Sequence, residues 1–336
     1  MTAARMTLRC VDCEAAWSAD EVRYRCDCGG TLDVVHDLDG LRGSVSTGRF
    51  DARLGSRDPL DRSGVWRFRE LIASPPYDDV VARGVGSTTL YDVPALARWC
   101  GVGSLRLKHE GENPTGSFKD RGMTVGISTA RRLGMRRVAC ASTGNTSASM
   151  ASYAAIAGMD AVVFVPDGQI ALGKLSQALA YGARTLQIAG DFDTAMRLVA
   201  EVCERASIYL LNSINPFRIE GQKAIGFELL QDLGWRVPDW IVLPGGNLGN
   251  NTAIVKGLLE LRALGLVDRL PRVAVIQARG ANPLATAWRE GRDVEPLVGA
   301  ETLATAIKIG APVSWKKSLR GLAAVEGIVD DVTDLE

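Results

Sequence analysis

Histidine is nearly absent from this chain, and the two that occur, His36 and His109, stand far apart in sequence. A Ser/His/Asp relay has no sequence support, and each histidine reads as a structural or solvent-facing residue. Net charge is missing as well. Lys plus Arg and Asp plus Glu both number 39, so no global field draws the chain onto a phosphate backbone or an anionic membrane. Long apolar runs are also lacking: nothing approaches the roughly 18 residues of a membrane span, and the stretch from Met1 to Cys10 holds no segment of signal-peptide length. These absences lead us to expect a cytoplasmic protein with neither nucleic acid nor membrane as partner. No repeat at a fixed period is visible, which disfavours solenoids and propellers.

What is present suits a compact globular body. The chain is 46% hydrophobic and 23% charged, and its 336 residues exceed the roughly 250 to 300 at which a single core stops growing. Two domains are therefore expected. From Ser104 onward, short β-branched runs alternate with segments of helical period. Strands are predicted at Ser104 to Lys108, Arg137 to Ala141, Ala161 to Val165, Thr185 to Ile188, Ser207 to Leu210, Trp240 to Leu243 and Val273 to Gln277. Helices are predicted at Lys119 to Leu133, Thr146 to Ala157, Phe192 to Ala206, Gly221 to Leu233 and Asn250 to Ala263. This alternation implies an α/β fold, with parallel sheets covered by helices on both faces. The stretch Asp37 to Asp92, rich in Arg, Asp, Gly and Ser, reads as a wrapping arm.

Three segments carry groups suited to chemistry. In Glu110-Gly-Glu-Asn-Pro-Thr-Gly-Ser-Phe-Lys119, a lysine stands at the first turn of a helix, where its charge opposes the macrodipole and the neutral amine needed for a Schiff base is favoured. A solvated surface lysine would show the same spacing. In Cys140-Ala-Ser-Thr-Gly-Asn145-Thr, hydroxyls, an amide and peptide N–H groups open a helix of small residues, as a carboxylate receptor or as ordinary capping. Trp240-Ile-Val-Leu-Pro-Gly245-Gly-Asn-Leu-Gly249-Asn is a strand, a glycine-rich loop and a helix start. The spacing is not that of a dinucleotide fingerprint, which leaves a single phosphate or a plain tight turn. Together the three describe an aldehyde cofactor with a phosphate tail, and that combination points to pyridoxal phosphate.

These segments, with Asn212-Ser-Ile-Asn-Pro-Phe-Arg-Ile-Glu-Gly-Gln-Lys223 and Ala304-Thr-Ala-Ile-Lys-Ile-Gly-Ala-Pro-Val-Ser-Trp315, make the chain resemble the threonine synthases of fold type II among pyridoxal-phosphate enzymes. The resemblance implies that Lys119 carries the cofactor, with Phe118 beside its ring and Asn145 on its 3'-hydroxyl. It implies that Gly245, Gly246, Asn247, Leu248, Gly249 and Asn250 hold the cofactor phosphate, and that the loop of Ser142, Thr143 and Thr146 receives the substrate carboxylate. Asn212, Ser213 and Arg218 match the positions that bind the phosphate of O-phosphohomoserine, a role that suits a guanidinium fork.

Seven cysteines, an odd number, favour free thiols or metal ligation over disulfides. Cys10 and Cys13 form one pair and Cys26 and Cys28 another, resembling a zinc ribbon with an irregular second knuckle; reduced structural thiols are the alternative. Four thiolates leave no open position, so a zinc ion there would be structural.

The domains expected are a ribbon at 1–36, a larger cofactor-binding domain of 37–118 with 213–336, and a smaller mobile domain at 119–212. The family pattern continues past Glu336 into a Ser- or Thr-Gly-rich segment facing the pyridine nitrogen. No equivalent follows Trp315, so the larger domain is expected to be C-terminally truncated. The alternatives are a threonine dehydratase, a cysteine synthase or cysteate synthase-like enzyme, or a non-catalytic cofactor-binding protein. A homodimer is expected because twofold oligomers are the commonest.

Overall fold

The computed structural model describes residues 6–74, 76–166, 172–188 and 192–336, so the start of the N-terminal run and parts of the expected small domain lie outside the described residues. The chain opens with β1 (Met6–Cys10), β2 (Ala16–Ser18) and β3 (Leu32–His36). The arm follows with four short helices, α1 (Leu38–Leu41), α2 (Thr47–Ala52), α3 (Pro59–Arg62) and α4 (Arg69–Ile72), then β4 (Leu90–Asp92), α5 (Pro94–Cys100) and β5 (Arg106–Lys108). Regular alternation then begins with α6 (Lys119–Arg132), β6 (Arg137–Ala141), α7 (Asn145–Ala157), β7 (Asp160–Pro166), α8 (Leu172–Ala180), β8 (Arg184–Ile188), α9 (Phe192–Arg205) and β9 (Tyr209–Leu210). It continues through α10 (Pro216–Asp232), β10 (Trp240–Pro244), α11 (Gly249–Ala263), β11 (Arg272–Ala278), α12 (Pro283–Glu290), α13 (Trp315–Ala324) and β12 (Ile328–Val332). The expected α/β architecture is the one observed.

Contacts divide the chain into two compact units, one of Met1–Ser44, Ser213–Gly226 and Arg236–Glu336, the other of Val45–Asn212 and Phe227–Trp235. The second unit is built on a four-stranded parallel sheet ordered β8-β7-β6-β9. Strand β6 buries Val138, Ala139, Cys140 and Ala141 in succession, as parallel strands covered on both faces do. Helix α7 packs on α6, where the fully buried Ser149 hydroxyl donates to Asp120. Gly158 ends α7 in the left-handed region at φ 67°, donating to Ala155 O while Met159 N donates to Ala154 O.

The arm from Val45 belongs to this unit, whereas the sequence placed 37–118 with the C-terminal residues. Two polar ties account for the difference: Trp66 Nε1 donates to Thr124 Oγ1 at 2.8 Å, and Val81 N donates to Ser128 Oγ at 2.8 Å. Both hydroxyls stand on α6. Phe50, Phe68 and Phe227 complete the core there, with ring centroids 5.1 and 5.5 Å apart in edge-on pairs.

The first unit combines the antiparallel β2-β1-β3 sheet with a parallel sheet ordered β10-β11-β12. Strand β12 is absent from the sequence reading because Asp330 and Asp331 interrupt its apolar pattern. Asp331 is buried yet satisfied, with Arg279 Nε at 2.8 Å, Asn282 Nδ2 at 2.9 Å and Arg289 Nη2 at 2.6 Å. Burial would raise this carboxyl, but those donors hold it at about 2. Helix α10 begins five residues before the predicted Gly221: Pro216 supplies a preset φ at the first position, and Asn215 Oδ1 accepts from Phe217 N at 3.0 Å. Among the described residues, no helix is long and apolar enough to cross a membrane.

Candidate functional site

In the second unit, the loop leading into α6 is fixed by its own side chains. Asn113 Nδ2 donates to the carbonyl and carboxylate oxygens of Glu110 at 2.9 and 3.0 Å, and its Oδ1 accepts from Gly86 N at 2.9 Å. Asp120 is fully buried, accepting from Thr115 N at 2.7 Å and from the hydroxyls of Thr115 and Ser149. Burial pushes its carboxyl up, and these hydrogen bonds draw it back only partway. Ser149 stands on α7, so Asp120 ties the Lys119 loop to the helix that Asn145 begins. Half-buried Lys119 opens α6 with its Nζ 3.7 Å from the centroid of the Phe118 ring.

Arg121 anchors this helix start. Its guanidinium is fully buried, with Nη2 2.6 Å from Glu110 Oε1 and 3.0 Å from Glu228 Oε1. Glu228 also takes Lys108 Nζ at 2.6 Å, Arg67 Nη2 at 3.3 Å and the peptide N–H groups of Ser87 and Thr88 at 2.7 and 3.0 Å. Burial raises the Glu228 carboxyl, but Arg121 and Lys108 outweigh it and hold the group at about 2. The sequence reading missed Glu228 and gave Arg121 no role. The available signal was local: Glu228 is set among apolar neighbours in Ile225-Gly-Phe-Glu-Leu-Leu230, and a charge so placed requires a buried partner.

The second polar loop in this unit joins β6 to α7. Ser142 Oγ accepts from Gly144 N at 3.1 Å, and no side chain caps α7. The first-turn N–H groups of a helix have no intrahelical partner, and at this helix start the hydroxyls of Thr143 and Thr146 stand beside them, a donor set of the kind that suits an anion. Asn145 Oδ1 is buried without a hydrogen-bond partner among the described residues. Asn212 donates to Ala141 O at 3.0 Å and accepts from Ala141 N at 2.9 Å, extending the edge of β6. These bonds fix the position of the Asn212 amide.

In the first unit, the glycine-rich loop joins β10 to α11. A Cβ on Gly245 would lie 2.6 Å from Val275 Cγ1, and one on Gly246 3.2 Å from Ile307 Cα. Leu248 occupies the left-handed region at φ 62°, ψ 6°, and no side chain caps α11. Asn247 is held by Val313 N at 2.9 Å and by its own donation to Ser213 Oγ at 3.0 Å. Arg218, on α10, is buried. Asn250 Nδ2 is a second buried polar atom without a partner among the described residues. Substituting Gly245→Ala overpacks the loop against Val275, and a destabilisation of about 1 to 3 kcal/mol in urea unfolding is the expected result.

The four N-terminal cysteines converge in the same unit. All four sulfurs lie within 4.8 Å of one another, Cys10 and Cys28 at 3.6 Å and Cys13 and Cys26 at 3.4 Å. Peptide N–H groups of Asp12 and Cys13 point at Cys10 Sγ at 3.3 and 3.5 Å, and Cys28 N points at Cys26 Sγ at 3.4 Å. A Cβ on Gly30 would lie 2.7 Å from Cys10 Sγ, so glycine there makes room for the cluster. The short C-x-C spacing does not prevent convergence. The two histidines lie in different settings: His36 is buried against Glu220 and Lys223, and His109 is exposed 3.8 Å from Glu112.

Residues 81–334 match the family described as pyridoxal-phosphate dependent enzyme. A threonine synthase of Methanocaldococcus jannaschii is 45% identical, covering 98% of this chain and 80% of its own length. One of Methanosarcina acetivorans is 47% identical, covering 98% and 79%. The chain belongs to the threonine synthase family. Among solved structures it is similar to the threonine synthase of Escherichia coli, with a TM-score of 0.70 at 18% identity over 98% of this chain and 78% of that one. Maize serine racemase gives 0.62 at 21% identity, covering 74% of each chain. Identities of that size carry the fold alone, and it is fold type II. Members of the family are lyases that use pyridoxal phosphate on a small-molecule substrate. The residues present fit that cofactor. Asn145 Oδ1 is a buried acceptor in want of a hydroxyl, while the loop ending at Asn250 Nδ2 offers N–H donors at a helix start that suits a phosphate.

Proposed function

We propose that this protein is a threonine synthase, converting O-phospho-L-homoserine and water to L-threonine and inorganic phosphate. The reading is carried by identity of 45% and 47% to threonine synthases over 98% of the chain. The site geometry accords with it. Lys119 holds the cofactor, Phe118 lies beside the ring, and Asn145 Oδ1 accepts from the ring hydroxyl. The peptide groups from Gly245 to Asn250 hold the cofactor phosphate. Pyridoxal phosphate, when bound, supplies an electron sink for carbanions at the α and β carbons.

The chain's own residues do the rest. Ser142, Thr143 and Thr146 bind and orient the substrate carboxylate at the start of α7. Arg218, Ser213 and Asn212 receive the substrate phosphate, Asn212 being held in place by its bonds to Ala141. A buried guanidinium is a fixed, pre-oriented fork, so substrate phosphate binds it with little loss of side-chain freedom. The Lys119 amine takes a proton from the α carbon and shuttles protons at the β carbon. Phosphate leaves from the γ carbon, and water adds at the β carbon. The same reading includes a homodimer in the cytoplasm.

Release of phosphate from O-phospho-L-homoserine, with threonine appearing in equal amount, is the expected assay result. Ammonia release from threonine without phosphate release would assign a dehydratase instead.

The four cysteines hold a structural zinc ion in this reading, because four converging sulfurs with N–H donors behind them form a closed tetrahedral site. About one zinc per chain is the expected elemental analysis of protein purified without chelator, falling below half in Cys13→Ser. Wild-type protein free of zinc would leave the cluster as reduced thiols.

A further inference from the structure

Helix α13 touches both the cysteine ribbon and the glycine-rich loop. Lys317 is buried, and its Nζ donates to Leu32 O at 2.5 Å and Asp33 Oδ1 at 2.6 Å. Lys316 pairs with Asp12 at 2.8 Å, and Arg320 donates to Val11 O, both within the first cysteine knuckle. The neighbouring Ser318 is fully buried and accepts from Asn251 Nδ2 at 2.7 Å in the first turn of α11. Just before α13, Val313 N donates to Asn247 Oδ1, and Ser314 N reaches Asn247 O at 3.4 Å. The ribbon is thus joined to the loop through a single turn of one helix.

A second tie runs through buried charge. His36, the last residue of β3, lies 2.5 Å from Glu220 Oε2 and 3.1 Å from Lys223 Nζ. Glu220 also binds Lys223 and Lys256, at 2.5 and 2.6 Å, and both lysines share Glu260. Glu220 stands two residues after Arg218 on α10, and Lys256 and Glu260 stand on α11.

The loop needs such support. Leu248 is a buried β-unbranched residue held in the left-handed region, a conformation that persists only where its surroundings over-determine it. N–H groups bind phosphate well only while their directions converge, and drift of a fraction of an ångström weakens the contact. Within the loop itself, Thr252 Oγ1 donates to Leu248 O at 2.7 Å; β11 fixes its start, where Gly245 N donates to Ile276 O at 2.7 Å and Gln277 Nε2 to Gly245 O at 3.3 Å, while Asn247 and Asn251 are held by Ser213 and by α13 and the turn before it.

We propose that the N-terminal ribbon is a strut for the anion-binding loop, and that Lys317 is the positioning residue through which it sets the affinity of Gly245–Asn250 for a phosphate monoester. The inference rests on the reading that this loop holds the cofactor phosphate.

The test measures binding of pyridoxal phosphate and of pyridoxal, which lacks the phosphate, to wild type, Lys317→Met and Ser318→Ala. Wild type should prefer pyridoxal phosphate strongly. Ser318→Ala cuts the tie at the loop and Lys317→Met cuts it at the ribbon. Each variant should lose roughly tenfold in affinity for pyridoxal phosphate and nothing for pyridoxal, a coupling of ordinary size for a contiguous network. An unchanged affinity for pyridoxal phosphate in Lys317→Met overturns the strut, as does an equal loss for both ligands, which marks general unfolding. Wild type binding both ligands alike instead overturns the reading of the loop on which the inference stands.

Discussion

Lys119→Ala is expected to lower kcat for phosphate release by at least about a thousandfold, because on the proposed reading it removes both the cofactor's attachment and the amine that moves protons. No other described lysine is placed to substitute. Lys108 is committed to Glu228 and Asp232, Lys223 and Lys256 to Glu220 and Glu260, Lys308 to Glu301, Lys316 to Asp12 and Lys317 to Asp33. Lys119 lies over the Phe118 ring at a helix start. Lys119→Arg keeps the charge over the ring but cannot supply a neutral amine, so it should be equally inactive. Steady-state phosphate release together with the visible absorbance of the bound cofactor checks both variants. Retained turnover with a retained absorbance band in Lys119→Ala would move the chemistry to another residue.

Glu228→Gln should be the most damaging substitution for stability away from the reacting groups. The carboxylate compensates Arg121, Lys108 and Arg67, and each of those side chains is largely or fully buried. Neutralising it leaves buried positive charge without its partner, a loss of about 3 to 5 kcal/mol. The effect has a defined pH dependence. The folded-state pKa of Glu228 is depressed to about 2, so its contribution to stability is full above the unfolded value near 4.3 and is lost as pH falls toward 2. A shift of this size corresponds to about 3 kcal/mol. Urea unfolding of wild type and variant at neutral pH should show the full gap, and the gap should narrow steadily below about pH 4. A gap independent of pH would mean that lost packing, and not charge, is responsible.

The sequence was most informative where structure is local. Strand β6 falls on the residues predicted, Arg137 to Ala141, because a parallel strand buried on both faces is a continuous apolar run bounded by turns. Helix α6 begins at Lys119 as expected, since the Pro- and Gly-bearing loop before it can end only in a new element. The cysteine knuckles were legible from spacing alone. What escaped was long-range charge pairing. A charged residue in an isolated sequence reads as solvent-facing, yet Arg121 meets Glu228 across 107 residues and His36 meets Glu220 across 184. Strand β12 escaped for the same reason, its two aspartates being matched by Arg279, Arg289 and Asn282 from other elements. The work of Asn212 on Ala141 could not be read either, because an amide that mimics a strand neighbour has no periodic signature.

The central claim is that Lys119 carries the cofactor. Holoenzyme treated with borohydride, which fixes the cofactor to the lysine that bears it, and then digested for peptide mass mapping tests this directly. The account predicts a pyridoxyl-phosphate mass on the peptide containing Lys119 and on no other. The label on Lys108, Lys223 or any other lysine, with the Lys119 peptide unmodified, would contradict it.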